Sequence, residues 1–165
     1  MIAAVTDNEG TITGVHRTWL DPQSHDKAAV AYPRRAMGHL LGSGVRFGKA
    51  DGVMVAGEGL ETLLSLRQVM PSMPMIAGLS AAHLAAIQFP AALRCLYVAR
   101  DDDPAGATAL STLTERCEPL GIAVIPLEPR LDDFNSDLTT YGPERLAAAI
   151  RVQLSAADAV QFLKR

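Results

Sequence analysis

Apolar runs and helical periodicities alternate along most of this chain. Four runs have the length and apolar content of buried strands: 53–56, 74–77, 93–99 and 122–127. Helices are predicted between and after them, at 60–69, 81–88, 104–120, 143–154 and 156–163. Strands that alternate with helices in this way predict a parallel sheet with right-handed crossovers.

The first 48 residues have a different pattern. Two short strands are predicted at 3–6 and 12–20, around a polar turn that ends in Gly10, and a third near 45–47. We therefore expect a small β-rich lead-in over residues 1–48 and an α/β core over 49–165. The core is predicted to be a Rossmann-like parallel sheet of about four strands flanked by helices.

Composition limits the classes of function. The chain has 165 residues with a formal net charge of −3, so it has no global basic field for coating DNA. The two cysteines are too few for a zinc site and indicate free thiols in a reducing compartment. No apolar run approaches a membrane span and no signal peptide is evident, so a cytoplasmic protein without membrane contact is expected.

Carboxylates follow the predicted strands where those strands end. Glu58 lies between two glycines after the first strand of the core, and Asp101, Asp102 and Asp103 follow the third. The carboxyl ends of parallel strands share one edge of the sheet, where ligands of such folds bind. Oxygen ligands of this kind suit Mg²⁺ or Mn²⁺. The alternation of side chains along an extended segment places Asp101 and Asp103 on one side and turns Asp102 away.

Each acidic segment also has a purely structural interpretation. Asp101–Asp103 precede Pro104, and acids at a helix N-terminus stabilise the helix without binding any ligand. The later acidic segment 132–137 is equally compatible with a solvated loop and with a further metal ligand. Arg100 directly precedes the carboxylates and is a candidate contact for phosphate, together with Arg34 and Arg35 of the lead-in.

The two acidic segments together resemble a known family. A strand followed by Gly-Glu-Gly-Leu-Glu-Thr (57–62) and a later strand followed by Asp-Asp-Asp-Pro-Ala-Gly (101–106) are similar to the Toprim domain of primases, topoisomerases and certain nucleases. Topoisomerases usually carry a further acid where this chain has Ala105, so the segment resembles the primase branch. The motifs cover roughly residues 53–137, and the lead-in also resembles the Toprim-containing part of plasmid and phage primase–helicase proteins.

The resemblance implies roles for individual residues. Glu58 corresponds to the family glutamate that acts as general acid or base and helps to hold metal. Asp101 and Asp103 correspond to the Mg²⁺-binding pair, and Asp133 resembles the later acidic motif with looser spacing. The resemblance thus implies catalysis by Glu58, Asp101 and Asp103, and metal binding by these three residues and Asp133.

The implied function is that of a Mg²⁺-dependent nucleotidyltransferase that makes RNA primers on single-stranded DNA. Its partners would be single-stranded DNA, nucleotides, and a helicase or zinc-binding module in the same or another chain. Two alternatives remain open: a Toprim nuclease that cleaves phosphodiesters with the same carboxylates, and a non-catalytic nucleic-acid-binding module of a replication protein. A receiver domain would require an acidic pair after the first strand and a later lysine in a matching position, and neither is evident in the sequence.

Overall fold

The structure is a computed structural model that describes residues 1–24 and 26–164. Its strands form a three-stranded antiparallel sheet of order β1-β2-β3 and a five-stranded sheet of order β4-β6-β5-β7-β8. The strands are β1 (Ile2–Thr6), β2 (Ile12–Thr18), β3 (Arg34–Gly38), β4 (Val45–Phe47), β5 (Val53–Gly57), β6 (Met75–Ala77), β7 (Cys95–Ala99) and β8 (Ala123–Leu127). The helices are α1 (Leu60–Val69), α2 (Ala81–Ala85), α3 (Pro104–Cys117), α4 (Phe134–Arg151) and α5 (Ala156–Phe162).

The five-stranded sheet confirms the predicted α/β class. Strands β5, β6, β7 and β8 are parallel, and they correspond to the four strands predicted for the core. The additional strand is β4, which pairs antiparallel with β6 at one edge. The strand predicted near residues 45–47 is present, but its assignment to the lead-in is wrong, because its backbone pairs with β6.

The third strand of the lead-in is β3, which the sequence did not reveal. It pairs with β2 from Gly14↔Gly38 to Thr18↔Arg34. Its sequence, Arg-Arg-Ala-Met-Gly, has no apolar alternation, and most of its residues are exposed. The strand exists because β2 offers it a backbone partner, which periodicity along a single segment does not register.

The central sheet is covered on both faces, as its apolar strands require. Helices α1, α4 and α5 contribute to one apolar cluster, which includes Val55 and Tyr97 of the sheet. Helices α2 and α3 contribute to the other, which includes Met54 and Leu96. Successive side chains of a strand thus enter opposite layers, and the strands are held with their ends in register.

Helix α4 begins nine residues before the predicted start at Pro143. Asp133 is its N-cap and accepts a hydrogen bond from the backbone N–H of Ser136 at 2.6 Å. Gly142 then interrupts the helix with φ of 80°, and Pro143 opens its second half. The prediction located the second half, whereas residues 134–137 of the first half were assigned to the acidic segment and residues 138–142 to no element. None of the described helices is both long and apolar enough to span a membrane.

Candidate active site at the carboxyl edge of the central sheet

The ends of three parallel strands place the predicted carboxylates at one edge. Gly57 of β5 is paired with Ala77 of β6 and with Ala99 of β7, so the three strands end level with one another. Glu58 leaves β5 directly at this edge, and Asp101 follows β7 after one intervening residue. The register of the sheet therefore brings together carboxylates that are 43 residues apart in sequence.

Glu58 lies half-buried in the turn from β5 to α1. Burial raises the pKa of its carboxyl, and the nearby carboxylates of Asp101 and Asp103 raise it further. The Glu58 backbone carbonyl accepts a hydrogen bond from Leu79 N–H at 2.9 Å. Leu79 itself has φ of 74°, a left-handed conformation that is costly for a leucine. The strained residue Leu79 is therefore hydrogen-bonded directly to the backbone of Glu58.

Asp101 is half-buried beside the other acidic residues. Burial raises the pKa of its carboxyl first, and Asp133 and Asp103 raise it next. Its Oδ1 accepts a hydrogen bond of 3.5 Å from the hydroxyl of Thr62 in α1. The folded chain therefore disfavours the ionised form of Asp101, which accepts one long hydrogen bond.

Asp103 and Asp133 each combine proximity to Asp101 with a capping role. Asp103 Oδ1 accepts a hydrogen bond from the backbone N–H of Gly106 at 2.7 Å, as N-cap of α3. Asp133 caps α4 in the same manner. The helix-cap interpretation and the site interpretation therefore hold together, because capping engages one carboxylate oxygen of each residue and leaves the other for a ligand.

A metal centre is not assembled in this structure. Within residues 1–24 and 26–164, no group of three or more His, Cys, Asp and Glu side chains is close enough to hold a metal ion. The donors nevertheless suit a hard divalent cation, since all are carboxylates and their mutual repulsion disfavours their charges. Such an ion would offset the repulsion that raises the pKa of Glu58 and Asp101.

A cleft of about 290 Å³ lies beside Glu58 and Asp101 and separates the core from the lead-in. Basic side chains of the lead-in form its opposite wall, and among its lining residues are His16, Arg34 and Arg35. The N-cap of α1, Gly59, has no capping side chain, so the first N–H groups of that helix remain available to an anion. The cleft thus brings the guanidinium groups of Arg34 and Arg35 together with carboxylates.

Glu61 links the two walls of this cleft, a role that the sequence did not indicate. Its carboxylate lies 3.4 Å from Arg34 Nη1 and 3.7 Å from Lys27 Nζ. These cations belong to the segment that contains and precedes β3, so the link depends on the strand that sequence patterns missed. The predicted phosphate contact Arg34 is therefore held at the cleft by a residue of α1.

Arg100 lies outside the lining of the cleft. Its guanidinium is 3.6 Å from Asp102 Oδ1 and 3.3 Å from Glu128 Oε1. Asp102 is exposed. The phosphate-binding role of Arg100 remains a prediction, and it would require these ion pairs to rearrange.

Comparisons with known proteins agree with this architecture. Residues 53–144 match the Toprim domain family, and residues 1–47 match a domain of unknown function, DUF7146. No curated protein matches the sequence. Toprim domains generally bind divalent metal ions, which is consistent with the carboxylate donors at the sheet edge.

Solved primase structures share the fold across nearly the whole chain. The primase of Aquifex aeolicus (zinc-binding and RNA polymerase domains) matches with a TM-score of 0.60 and 17% identity over 93% of this chain and 40% of its own. The primase fragment of the bacteriophage T7 primase-helicase matches with a TM-score of 0.62 and 16% identity over 92% and 61%. A DNA primase domain from Pseudomonas aeruginosa matches with a TM-score of 0.60 and 18% identity over 92% of this chain and 50% of its own.

The chain therefore spans less than two thirds of each of these primase chains. At such identities the likeness establishes the fold alone. The family match, in contrast, extends over more than half of the present sequence and includes Glu58, Asp101, Asp103 and Asp133. We conclude that the chain belongs to the Toprim domain family and has the fold of its primase-type members.

Proposed function

We propose that this protein is a Mg²⁺-dependent nucleotidyltransferase of the DNA primase type, which joins ribonucleotides on a single-stranded DNA template. The observation that carries the proposal is the cleft in which Glu58 and Asp101 lie opposite Arg34 and Arg35. Polymerisation of nucleotides needs a carboxylate-held cation and positive groups for phosphates within one site. Both kinds of residue line this cleft, within a fold shared with primases.

Glu58, Asp101, Asp103 and Asp133 would hold Mg²⁺ or Mn²⁺. When bound, the cation would supply neutralisation of phosphate charge and activation of the attacking hydroxyl. Glu58 is suited to accept or donate a proton, because its raised pKa brings it nearer to the operating pH. Arg34, Arg35 and, after release from its ion pairs, Arg100 would contact the phosphates.

The proposed partners are single-stranded DNA, nucleotides, and a helicase or zinc-binding module, in a cytoplasmic replication system. The support comes from the solved relatives, among which are a primase with a zinc-binding domain and a fragment of a primase-helicase. The present chain covers only part of each. Efficient synthesis is therefore expected to depend on parts that those proteins carry in addition.

The proposal is tested by incubating the chain with ribonucleoside triphosphates, single-stranded DNA and Mg²⁺ or Mn²⁺, and separating labelled products by gel electrophoresis. We expect short RNA products from the wild type and from Glu144→Gln, the matched control, since Glu144 is an exposed acid of α4 that does not line the cleft. Glu58→Gln and Asp101→Asn should each reduce synthesis at least about a hundredfold.

The same reactions contain end-labelled DNA, so they report on the two alternatives. Metal-dependent cleavage of the labelled DNA without RNA products would favour the nuclease. Binding without either product would favour a non-catalytic module, provided that adding a zinc-binding module and a helicase from a related primase-helicase does not produce synthesis. Products that persist in Asp101→Asn would contradict the assigned site.

A further inference from the structure

The lead-in sheet has one buried face and one exposed face. Val5, His16 and Thr18 are buried on the side that meets the core. The opposite side carries Ile2, Val15, Arg17, Arg35 and Met37, and Trp19 adjoins it through its contact with Arg17. We term these six residues the aromatic face. Ile2, Trp19 and Met37 are 76%, 52% and 66% exposed. A shallow groove of about 260 Å³ runs among its residues.

Two arginine–aromatic pairs lie on and beside the aromatic face. The guanidinium of Arg17 lies 4.7 Å from the centre of the Trp19 ring, and that of Arg35 lies 4.6 Å from the centre of the Tyr32 ring. Tyr32 is 65% exposed. Each guanidinium lies over one face of its ring, and the exposure of Trp19 and Tyr32 leaves the rest of each ring accessible next to a positive charge.

The charges of both arginines are uncompensated by side chains. Among the described residues, neither Arg17 nor Arg35 forms an ion pair, and the buried Nε of Arg17 has no hydrogen-bond partner. Glu61, which lines the cleft, is bound instead to Arg34 and Lys27. The aromatic face is thus net positive on a protein whose formal net charge is −3.

Two further arginine–aromatic pairs among the described residues involve rings that are less exposed than those of the lead-in. Arg67 lies over Phe47, and Arg116 lies over Phe89. Both of those rings are partly buried and pack against the apolar clusters of the core. They serve packing, whereas Trp19 and Tyr32 pack against no such cluster in the described chain.

We propose that the aromatic face binds single-stranded DNA, with bases stacked on Trp19 and Tyr32 and the phosphate backbone held by Arg17 and Arg35. Rings that alternate with cations are the composition that binds unpaired strands, because every base has a face to stack and every linkage a charge. Duplex bases are already stacked on each other and cannot use such rings.

The position of Arg35 connects this surface to the active-site cleft. Arg35 lines the groove of the aromatic face and also lines the cleft beside Glu58 and Asp101. A strand held on the aromatic face would therefore reach the cleft at Arg35, which borders both. The path from the aromatic face to the cleft rests on the proposed function, whereas binding of single-stranded DNA to the aromatic face does not.

The test uses Trp19, which is the single tryptophan of the chain and therefore reports on the surface directly. The full chain is titrated with a twelve-residue oligothymidylate in EDTA, without nucleotides, and tryptophan fluorescence is recorded. We expect quenching that saturates, and no comparable quenching by a duplex of the same length. Since neither metal nor catalysis is involved, this result is independent of primer synthesis.

Variants are compared by fluorescence anisotropy of labelled oligothymidylate. Trp19→Ala should weaken binding about tenfold, whereas Trp19→Phe, which keeps a stacking ring, should retain most of the affinity. Arg17→Gln and Arg35→Gln should each lower the slope of log K against log salt by about 0.7. Arg145→Gln, an exposed arginine of α4 outside this surface, is the control and should leave affinity nearly unchanged. Circular dichroism verifies that each variant is folded.

Several outcomes would overturn the inference. These are absence of quenching, equal binding by Trp19→Ala and wild type, and equal quenching by duplex DNA. Sedimentation that shows a dimer dissociated by Trp19→Ala would assign the surface to a second copy of the chain instead. Quenching without primer synthesis, even after addition of the zinc-binding module and helicase, would leave the aromatic face in place and contradict only the proposed function. Synthesis without quenching would do the reverse.

Discussion

Replacement of Tyr97 by phenylalanine should destabilise the fold without disturbing the active site. Tyr97 lies in the middle of β7 and is fully buried. Its hydroxyl donates a hydrogen bond to Asp158 Oδ2 at 2.7 Å and accepts one from the backbone N–H of Ser155 at 2.9 Å. Both partners belong to the start of α5, so this phenol fastens the last helix to a central strand.

The magnitude follows from the bonds that are lost. A hydrogen bond to a charged group contributes about 1.5–3 kcal/mol, and a neutral one about 0.5–1.5 kcal/mol. Asp158 keeps the hydroxyl of Ser155, which also donates to Oδ2 at 2.7 Å, so the full sum is not reached. We expect Tyr97→Phe to lower the free energy of unfolding by about 2–3 kcal/mol, or Tm by about 8 °C for a chain of this size.

Urea and thermal unfolding followed by circular dichroism measure this difference. Tyr141→Phe is the matched control, because Tyr141 lies near the kink of α4 and no hydrogen bond of its hydroxyl is described. A Tyr97→Phe variant within about 0.5 kcal/mol of the wild type would refute the reasoning, since that is the range of surface substitutions. Primer synthesis at a temperature where both proteins are folded should be unchanged.

The pH dependence of the same pair adds a second check. Burial, together with the hydrogen bond to Asp158, raises the pKa of Tyr97 from 10.0 to about 12. A raised pKa means that the folded protein favours the protonated phenol. Its stabilising contribution is therefore complete below pH 10 and is lost as the pH rises towards 12. Tyr97→Phe should lack this part of the alkaline loss of stability.

Three further substitutions test the active-site edge. Without added metal, Asp101→Asn should raise Tm at pH 7. Burial, Asp133 and Asp103 raise the pKa of Asp101, which means that the folded state disfavours its charge. The gain in Tm should vanish in thermal scans at a pH below 3.8. Gly106→Ala should destabilise by about 1–3 kcal/mol in urea unfolding, since its Cβ would lie 2.6 Å from the Asp101 carbonyl oxygen. Leu79→Gly should lose less stability than a half-buried leucine normally does, because glycine relieves the strain of φ at 74°; a loss above about 3 kcal/mol in the same assay would contradict that.

The core of the fold was predictable because its signals are local. Buried parallel strands consist of continuous apolar runs, which can be recognised in a sequence. Helix α1 was predicted at 60–69, the residues that form it in the structure. The helix predicted from residue 81 begins there as α2, with Ser80 as its N-cap. The carboxylates were predictable as a group for a related reason, since the ends of parallel strands share an edge whatever the intervening sequence.

The remaining features depend on contacts between distant segments. Strand β3 has no apolar alternation and is defined by pairing with β2, so the pattern of residues 34–38 alone does not reveal it. The ion pairs of Glu61 with Arg34 and Lys27 span more than 25 residues of sequence and follow from that pairing. The convergence of the four carboxylates on a cation remains a prediction, because the described residues do not hold them at ligand distances.

Strand β4 has a consequence for where the chain can be divided. By sequence, Val45–Phe47 closes the lead-in, yet its backbone completes the edge of the central sheet next to β6. A chain shortened to begin after residue 48 would leave β6 with an unpaired, apolar edge, which is a template for intermolecular pairing and aggregation. The residue at which the sequence changes character is thus not a position at which the two parts can be separated and remain soluble.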